Sequence, residues 1–388
     1  DPQPFLKEIL NKNNSNDLKI DFDRTNNISD NKTLEYGLSY HLYNRFLNIR
    51  YSTFDYTLNN WVNNPLYTNK YNFDETIYAS YLNYNSTFLG LNTSFGLRLE
   101  YMDRLLNQQG SSTEYKFNKL NFFPGVTISK AINKEKNIKF AITSRINRPD
   151  EYMMNPFPEF EDDYFYAEGN PYLIPEIIRN FEIGYNYSKG SNMFSSNLYY
   201  KTTTDKINQK LFIGNDEKIH TIFNNEANDK ALGLELMGNY KLSNWWSINT
   251  NTNLFNYQID LLTDNIIEKN KQFTWNTVLV NSFNFSKKTS FQIIGSYNSI
   301  ARQSQGELSS FYFVDTAINH KFLDGKFTIN LKIKDVFQSL NYSLKTKTGN
   351  MDLNAFFNNE SPIFLLNMSY NFSKFKKKTK DTYTKFDM

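Results

Sequence analysis

The chain holds only three imidazoles, His41, His220 and His320. They fall on different segments, at no spacing that would assemble a metal site. It has no cysteine, which removes disulfides and thiolate ligands from the possible chemistry. There is no glycine-rich phosphate loop. Acidic pairs such as Asp162-Asp163 lie in a loop-like stretch with nothing to set their pKa values apart, so general acid–base catalysis finds no support. A hydrolase built on a barrel would need a serine with histidine and aspartate neighbours at one rim, a grouping that a structure would expose. The expectation is therefore no catalytic residue, no metal ligand and no cofactor.

What remains is one stretch rich in groups that bind rather than react. Pro149, Pro156, Pro158, Pro171 and Pro175 place five of the chain's ten prolines between positions 149 and 175, which no ladder-forming strand tolerates. Asn170-Pro171 favours a turn, and Pro175 disfavours helix at Ile174, so this is an ordered loop led stiffly into a strand from Ile177. Within it Glu159, Glu161, Asp162, Asp163 and Glu168 stand beside Tyr152, Phe157, Phe160, Tyr164, Phe165 and Tyr166. Two readings stay open. Glu159, Glu161, Asp162, Asp163, Tyr164 and Tyr166 contact a ligand or cation, or the loop packs against a neighbouring loop or the lipopolysaccharide zone.

The elements that carry this loop declare themselves by period. Phe327, Ile329, Leu331 and Ile333 take one face of a strand, and Thr328, Asn330, Lys332 and Lys334 take the other. The same alternation recurs at Phe95 to Tyr101, Ile138 to Ile146, Phe181 to Tyr187, Leu232 to Leu242 and Phe364 to Phe372. It returns in about sixteen segments, and none of these runs fits a helix. Aromatic residues make up 17% of the 388, with 27 Tyr and 34 Phe, an odd load for a soluble core and a natural one for interfacial girdles. Mean hydropathy is −0.62, and no stretch approaches the roughly 20 apolar residues of a spanning helix. The reading is all-β: a transmembrane antiparallel barrel whose wet face carries Arg98, Glu100, Lys139, Arg145, Glu182, Lys201, Glu235, Lys241, Lys332 and Lys334. A soluble propeller would repeat a motif about every 40 residues, and no such repeat is found.

Connection lengths give the ends. Short turns are expected at Asn44-Arg45, 85–87, 133–136, 189–191, 243–245, Lys287-Lys288 and 323–325. Longer loops are expected at 57–73, 104–118, 149–176, 206–228, 260–270 and 343–360. Outer-membrane barrels have short periplasmic turns and long external loops, so the loop at 149–176 is external. Residues 1–373 then form the barrel and 374–388 a basic periplasmic tail. Net charge is only +3 and dispersed, which gives no nucleic-acid footprint. The one basic run, Lys374 to Lys380, is a solvated tail or a contact with lipid phosphates or a partner.

The stretch Ser144-Arg-Ile-Asn-Arg-Pro149, then Asn155-Pro-Phe157, then Glu168-Gly-Asn-Pro-Tyr-Leu-Ile-Pro-Glu176 and Phe181-Glu-Ile-Gly-Tyr185 resembles the Bacteroidota outer-membrane β-barrel family allied to TonB-dependent receptors. Gly96 to Glu100, Gly233 to Glu235, Lys334-Asp-Val-Phe337 and Ser369 to Phe372 follow in the family's order, so the likeness covers nearly the whole chain. The motif positions are Arg145, Arg148, Pro149, Asn155, Pro156, Phe157, Gly169, Asn170, Pro171, Leu173, Pro175, Glu176 and Glu182. The resemblance implies the C-terminal part of a 22-stranded barrel around an N-terminal plug, with the plug and first strands missing from view.

It also implies energy-coupled uptake of a scarce solute, a metal chelate or an oligomer, with TonB acting through the plug. Outer-membrane lipid and lipopolysaccharide are expected partners, with a surface lipoprotein or a larger membrane complex as further candidates. A self-contained sixteen-stranded porin and a scaffold barrel that does not transport stand as alternatives.

Overall fold

The computed structural model describes residues 3–109, 113–160, 164–263, 266–348 and 351–372. In chain order the strands are β1 (Lys7–Ser29), β2 (Lys32–Asp55), β3 (Asn60–Asn63), β4 (Asn69–Phe88), β5 (Leu91–Gln108), β6 (Glu114–Asn133) and β7 (Lys136–Asn147). A one-turn helix, α1 (Glu151–Met154), and two short strands, β8 (Glu159–Phe160) and β9 (Phe165–Glu168), follow. The wall resumes with β10 (Glu176–Lys189), β11 (Asn192–Ile213), β12 (Ile219–Lys241), β13 (Trp246–Thr263), β14 (Ile266–Asn284) and β15 (Thr289–Asn298). Then come β16 (Ala301–Gln303), β17 (Gly306–Leu308), β18 (Phe311–Phe322), β19 (Phe327–Lys334), β20 (Asn341–Thr348), β21 (Met351–Asn358) and β22 (Ile363–Tyr370).

Among the described residues eighteen strands join in one sheet, and β16, β17, β20 and β21 form a second. β3, β8 and β9 are short accessories to the first. The remaining fifteen make a meander in which each wall strand pairs antiparallel with the next.

Register carries the sequence alternation across the wall. Phe22 faces Leu38, Leu99 faces Phe122, and Phe140, Ile183, Leu198, Leu234 and Leu254 follow one another across five strands. Leu38, Phe122, Ile183 and Leu198 are all exposed. An apolar row left open to its surroundings on strand after strand is a lipid-facing surface. The opposite phase is covered: Met102 is fully buried, and Tyr71, Phe73 and Leu106 form a buried cluster with Leu47, Met154 and Leu173.

Several expected turns and loops are corrected. β2 runs unbroken through Asn44 and Arg45, which pair with Asn16 and Ser15 on one side and with Asp74 and Phe73 on the other. Two expected strands are thus one, and among the described residues the wall holds fifteen strands, against the about sixteen expected. The turn placed at 85–87 lies at Leu89-Gly90, where both residues have positive φ. Much of the expected loops 104–118, 206–228 and 260–270 is paired strand. Apolar residues stand side by side there, as at Leu105-Leu106, Ile222-Phe223 and Leu261-Leu262, which breaks the period-two alternation and reads as loop, although backbone pairing needs no such alternation. The strand expected across 326–342 stops at Lys334, where a carboxylate-capped turn takes over. The basic tail, 374–388, lies outside the described residues.

β1 pairs only with β2, and β22 only with β19, among the described residues. In hydrocarbon, an unpaired edge leaves costly orphan N–H and C=O groups.

Candidate functional site

The proline-rich segment between β7 and β10 folds inward against the wall rather than outward. Its anchor is a set of aromatic and aliphatic contacts on the inner phase: Phe157 lies 5.9 Å from the Tyr71 ring, and Met154 and Leu173 are fully buried. Tyr152 meets Phe223 of β12 edge to face at 5.9 Å, and Tyr172 meets Tyr115 of β6 at 5.3 Å. The segment therefore touches strands on both sides of its own hairpin.

Polar ties fix it more specifically. Glu151 accepts a hydrogen bond from the Tyr43 hydroxyl at 2.8 Å and pairs with Arg45, both on β2. Arg148 pairs with Glu100 on β5, which also takes Arg98 at 3.2 Å. Arg104, buried, donates to the Leu173 carbonyl. Glu176 accepts the Ile207 N–H at 2.7 Å on one oxygen and the Asn147 amide at 2.7 Å on the other. Asn170 donates to the Phe223 carbonyl at 3.0 Å, and its own side-chain oxygen accepts the Tyr172 N–H at 3.0 Å, closing an Asx turn around Pro171.

Gly169 is required by contact rather than by φ. Its N–H donates to the Asn155 carbonyl at 2.8 Å, and a Cβ there would sit 2.5 Å from that same oxygen. Asn155 is buried and accepts the Phe157 N–H on its side chain at 3.2 Å. Pro156 and Pro149 flank these ties, and Pro175 leads into β10. Of the motif positions, Arg148, Asn155, Phe157, Gly169, Asn170, Leu173 and Glu176 thus meet in one inward fold. Arg145 and Glu182 stand apart on β7 and β10 in the inner phase, and Glu182 accepts from Asn180 on its own strand.

The acidic and aromatic candidates divide differently. Glu161, Asp162 and Asp163 lie outside the described residues, and Glu159 is placed through its backbone pairing with Ala167. The Tyr164 carbonyl accepts the Ile219 N–H at 2.8 Å, starting a parallel pairing of β9 with β12. Tyr166 lies 4.6 Å from the His220 ring, whose other neighbour, Phe212, is at 5.4 Å. His220 Nε2 is 2.7 Å from Asp216, a bond that holds the Asp216 carboxyl below the usual carboxylate range. Burial pushes the neighbouring Glu168 carboxyl up, and His220 offsets part of that.

Sequence reading did not single out Asn225, Tyr43, Arg45, Glu151 or Arg104, which supply much of the grip. Arg45 was masked by its assignment to a turn. Asn225 had no signal at all in a chain so rich in asparagine.

Among the described residues no group of three or more His, Asp or Glu could hold a metal ion. The inner wall is instead a surface of hydrogen-bond donors, paired charges and rings, narrowed by a tethered segment.

No curated protein matches the chain. Among solved structures it is similar to the FrpB iron transporter from Neisseria meningitidis, with 13% identity and a TM-score of 0.60 over 88% of this chain and 53% of that one. It is similar to the ferric yersiniabactin uptake receptor FyuA from Yersinia pestis, with 12% identity and a TM-score of 0.62 over 91% and 53%. It is also similar to the ferric-catecholate import receptor Fiu from E. coli K12, with 10% identity and a TM-score of 0.63 over 93% and 55%. The chain spans about half the length of these proteins. At such identities the likeness establishes the fold. A family model described as the outer membrane protein beta-barrel family matches residues 2–370, and the chain belongs to that family, a β-barrel of the bacterial outer membrane.

Proposed function

We propose that the chain forms the C-terminal wall of a TonB-dependent receptor that imports a scarce metal chelate. The observation that carries this reading is the pair of open edges, β1 and β22, on a wall of fifteen strands whose inner face is polar and partly covered. Plugged transporters of this kind close with 22 strands, so about seven more would join these edges. The inward segment between β7 and β10 then narrows the lumen beside the plug, and TonB acts through that plug.

The similar proteins named for ferric complexes favour a metal chelate over an oligomer as the solute. Growth under metal limitation tests this. Cells lacking the full-length gene should grow more slowly on one chelated metal and recover when the gene is restored. Unchanged growth on every chelate tried favours a scaffold barrel instead.

A further inference from the structure

The short-turn end of the wall carries a charge asymmetry that solute uptake does not use. Lys134 and Lys136 flank the turn between β6 and β7, and Lys189 ends β10. Lys287 and Lys288 form the turn before β15, and Lys326 closes the turn before β19. All are exposed. Carboxylates answer only two of them: Lys189 pairs with Glu135 at 3.4 Å, and Lys288 with Asp324 at 3.7 Å. The others have no ion-pair partner among the described residues. The Leu89-Gly90 turn carries no lysine and the Asp30-Asn31 turn only Lys32, beside Asp30, so the lysines are denser in an arc along one side of the rim.

Aromatic rings lie along the same arc. Trp245 and Phe285 are largely exposed, Phe322 is partly so, and Trp245, Trp246 and Phe283 stack at 6.0 to 6.1 Å. Lys136 and Lys189 share the outward phase of Ile138 and Tyr187. Their aliphatic stems therefore run along the lipid side, with the ammonium groups beyond the apolar rows, as snorkelling lysines do. Outer-membrane barrels turn this end toward the periplasm, where the facing leaflet presents phosphate headgroups.

We propose that this arc, from the β6–β7 turn to the β18–β19 turn, binds the headgroups of anionic phospholipids. Unpaired ammonium groups at headgroup depth repel one another until phosphates lie between them. Exposed indole and phenyl rings beside them suit an interface, where one side is apolar and the other wet. A soluble polyanion would leave those rings uncovered, and this favours lipid as the partner.

Trp245 and Trp246 supply the readout. The full-length protein is reconstituted into phosphatidylethanolamine vesicles holding a trace of dansyl-labelled phosphatidylglycerol or dansyl-labelled phosphatidylethanolamine. Energy transfer from these tryptophans is taken as the signal lost in Trp245→Phe/Trp246→Phe. Transfer should favour phosphatidylglycerol, and this preference should fall by about fivefold for each engaged lysine removed, in Lys287→Gln/Lys288→Gln and separately in Lys134→Gln/Lys136→Gln. Added salt should weaken it, inorganic phosphate at the same ionic strength should do no more, and Lys345→Gln/Lys347→Gln on the distant second sheet should leave it intact. Equal transfer to both lipids, or a preference that survives both lysine pairs, overturns the proposal.

Discussion

Asn225 of β12 grips the peptide of Ile174 in both directions: the Ile174 N–H donates to its side-chain oxygen at 2.9 Å, and its amide donates back to the Ile174 carbonyl at 3.0 Å. The same amide reaches the Asp205 carbonyl at 2.6 Å. One side chain thus does the work of a strand partner for a residue that Pro175 keeps out of the ladder. Replacing Asn225 with Ala leaves partly buried backbone groups unsatisfied, each costing about 1–3 kcal/mol. Hydrogen exchange at the Ile174 amide should accelerate at least ~5-fold while the wall amides stay protected. Unchanged exchange at Ile174 would show that the segment is held by its apolar contacts alone.

Gly169 should prove as sensitive for a steric reason. A methyl group there meets backbone atoms of Asn155 and Met153 at 2.5 to 2.7 Å, with no flexible side chain to yield. Gly169→Ala should loosen the segment by roughly 1–3 kcal/mol. Limited proteolysis of intact cells should then reveal a new cut between 149 and 175. Resistance equal to that of the native protein would contradict the packing described.

The lipid face has its own test. Leu331 stands outward between Ile318 and Leu366, and placing Arg there should cost about 2–4 kcal/mol if it lies near the midplane. Asn330, one residue earlier and in the opposite phase, should accept Arg with far less effect. Unfolding midpoints of the full-length protein, followed by heat-modifiable gel migration, separate the two. Equal costs would remove the assignment of faces.

Much of this wall was legible because period two is a local signal. Phe327 to Lys334 and Ile138 to Ile146 read correctly as strands with the right faces, since every second residue there meets lipid. The signal fades where apolar residues stand side by side, as at Leu211-Phe212-Ile213 and Ile222-Phe223. Residues 206–213 and 219–228 looked like loop, yet they pair through a projecting hairpin. Asn44-Arg45 looked like a turn by composition, while backbone pairing on both sides decided otherwise. Prolines made the segment from 149 legible as an ordered loop. Its inward course depends on Tyr43, Arg45 and Asn225, each more than 50 residues away from its partner, and no local pattern reports such contacts.

A carboxylate closes the turn after β19. Asp335 accepts the N–H groups of Ser339 and Leu340 at 2.9 and 3.0 Å and the Ser339 hydroxyl at 3.0 Å. Burial pushes its carboxyl up, but these donors, with Ser361, outweigh it and hold the group below the usual range. A depressed folded pKa means that the stabilisation is present above the unfolded value of about 3.9 and is lost as pH falls through the folded one. Amide protection at Ser339 and Leu340 should therefore persist through mild acid and drop only below that range. Asp335→Asn should lose protection already at neutral pH and flatten the dependence. A native profile that begins to fall near neutral pH would assign the turn's stability to another group.

We propose energy-coupled import of a metal chelate through a barrel of which this wall is part. Its most direct measure is cellular metal content under metal limitation, compared between cells with and without the full-length gene, before and after the proton gradient is collapsed. The gene should raise the content of one metal severalfold, and collapse should abolish that difference. Equal content of every metal, or a difference that survives collapse, would contradict the account.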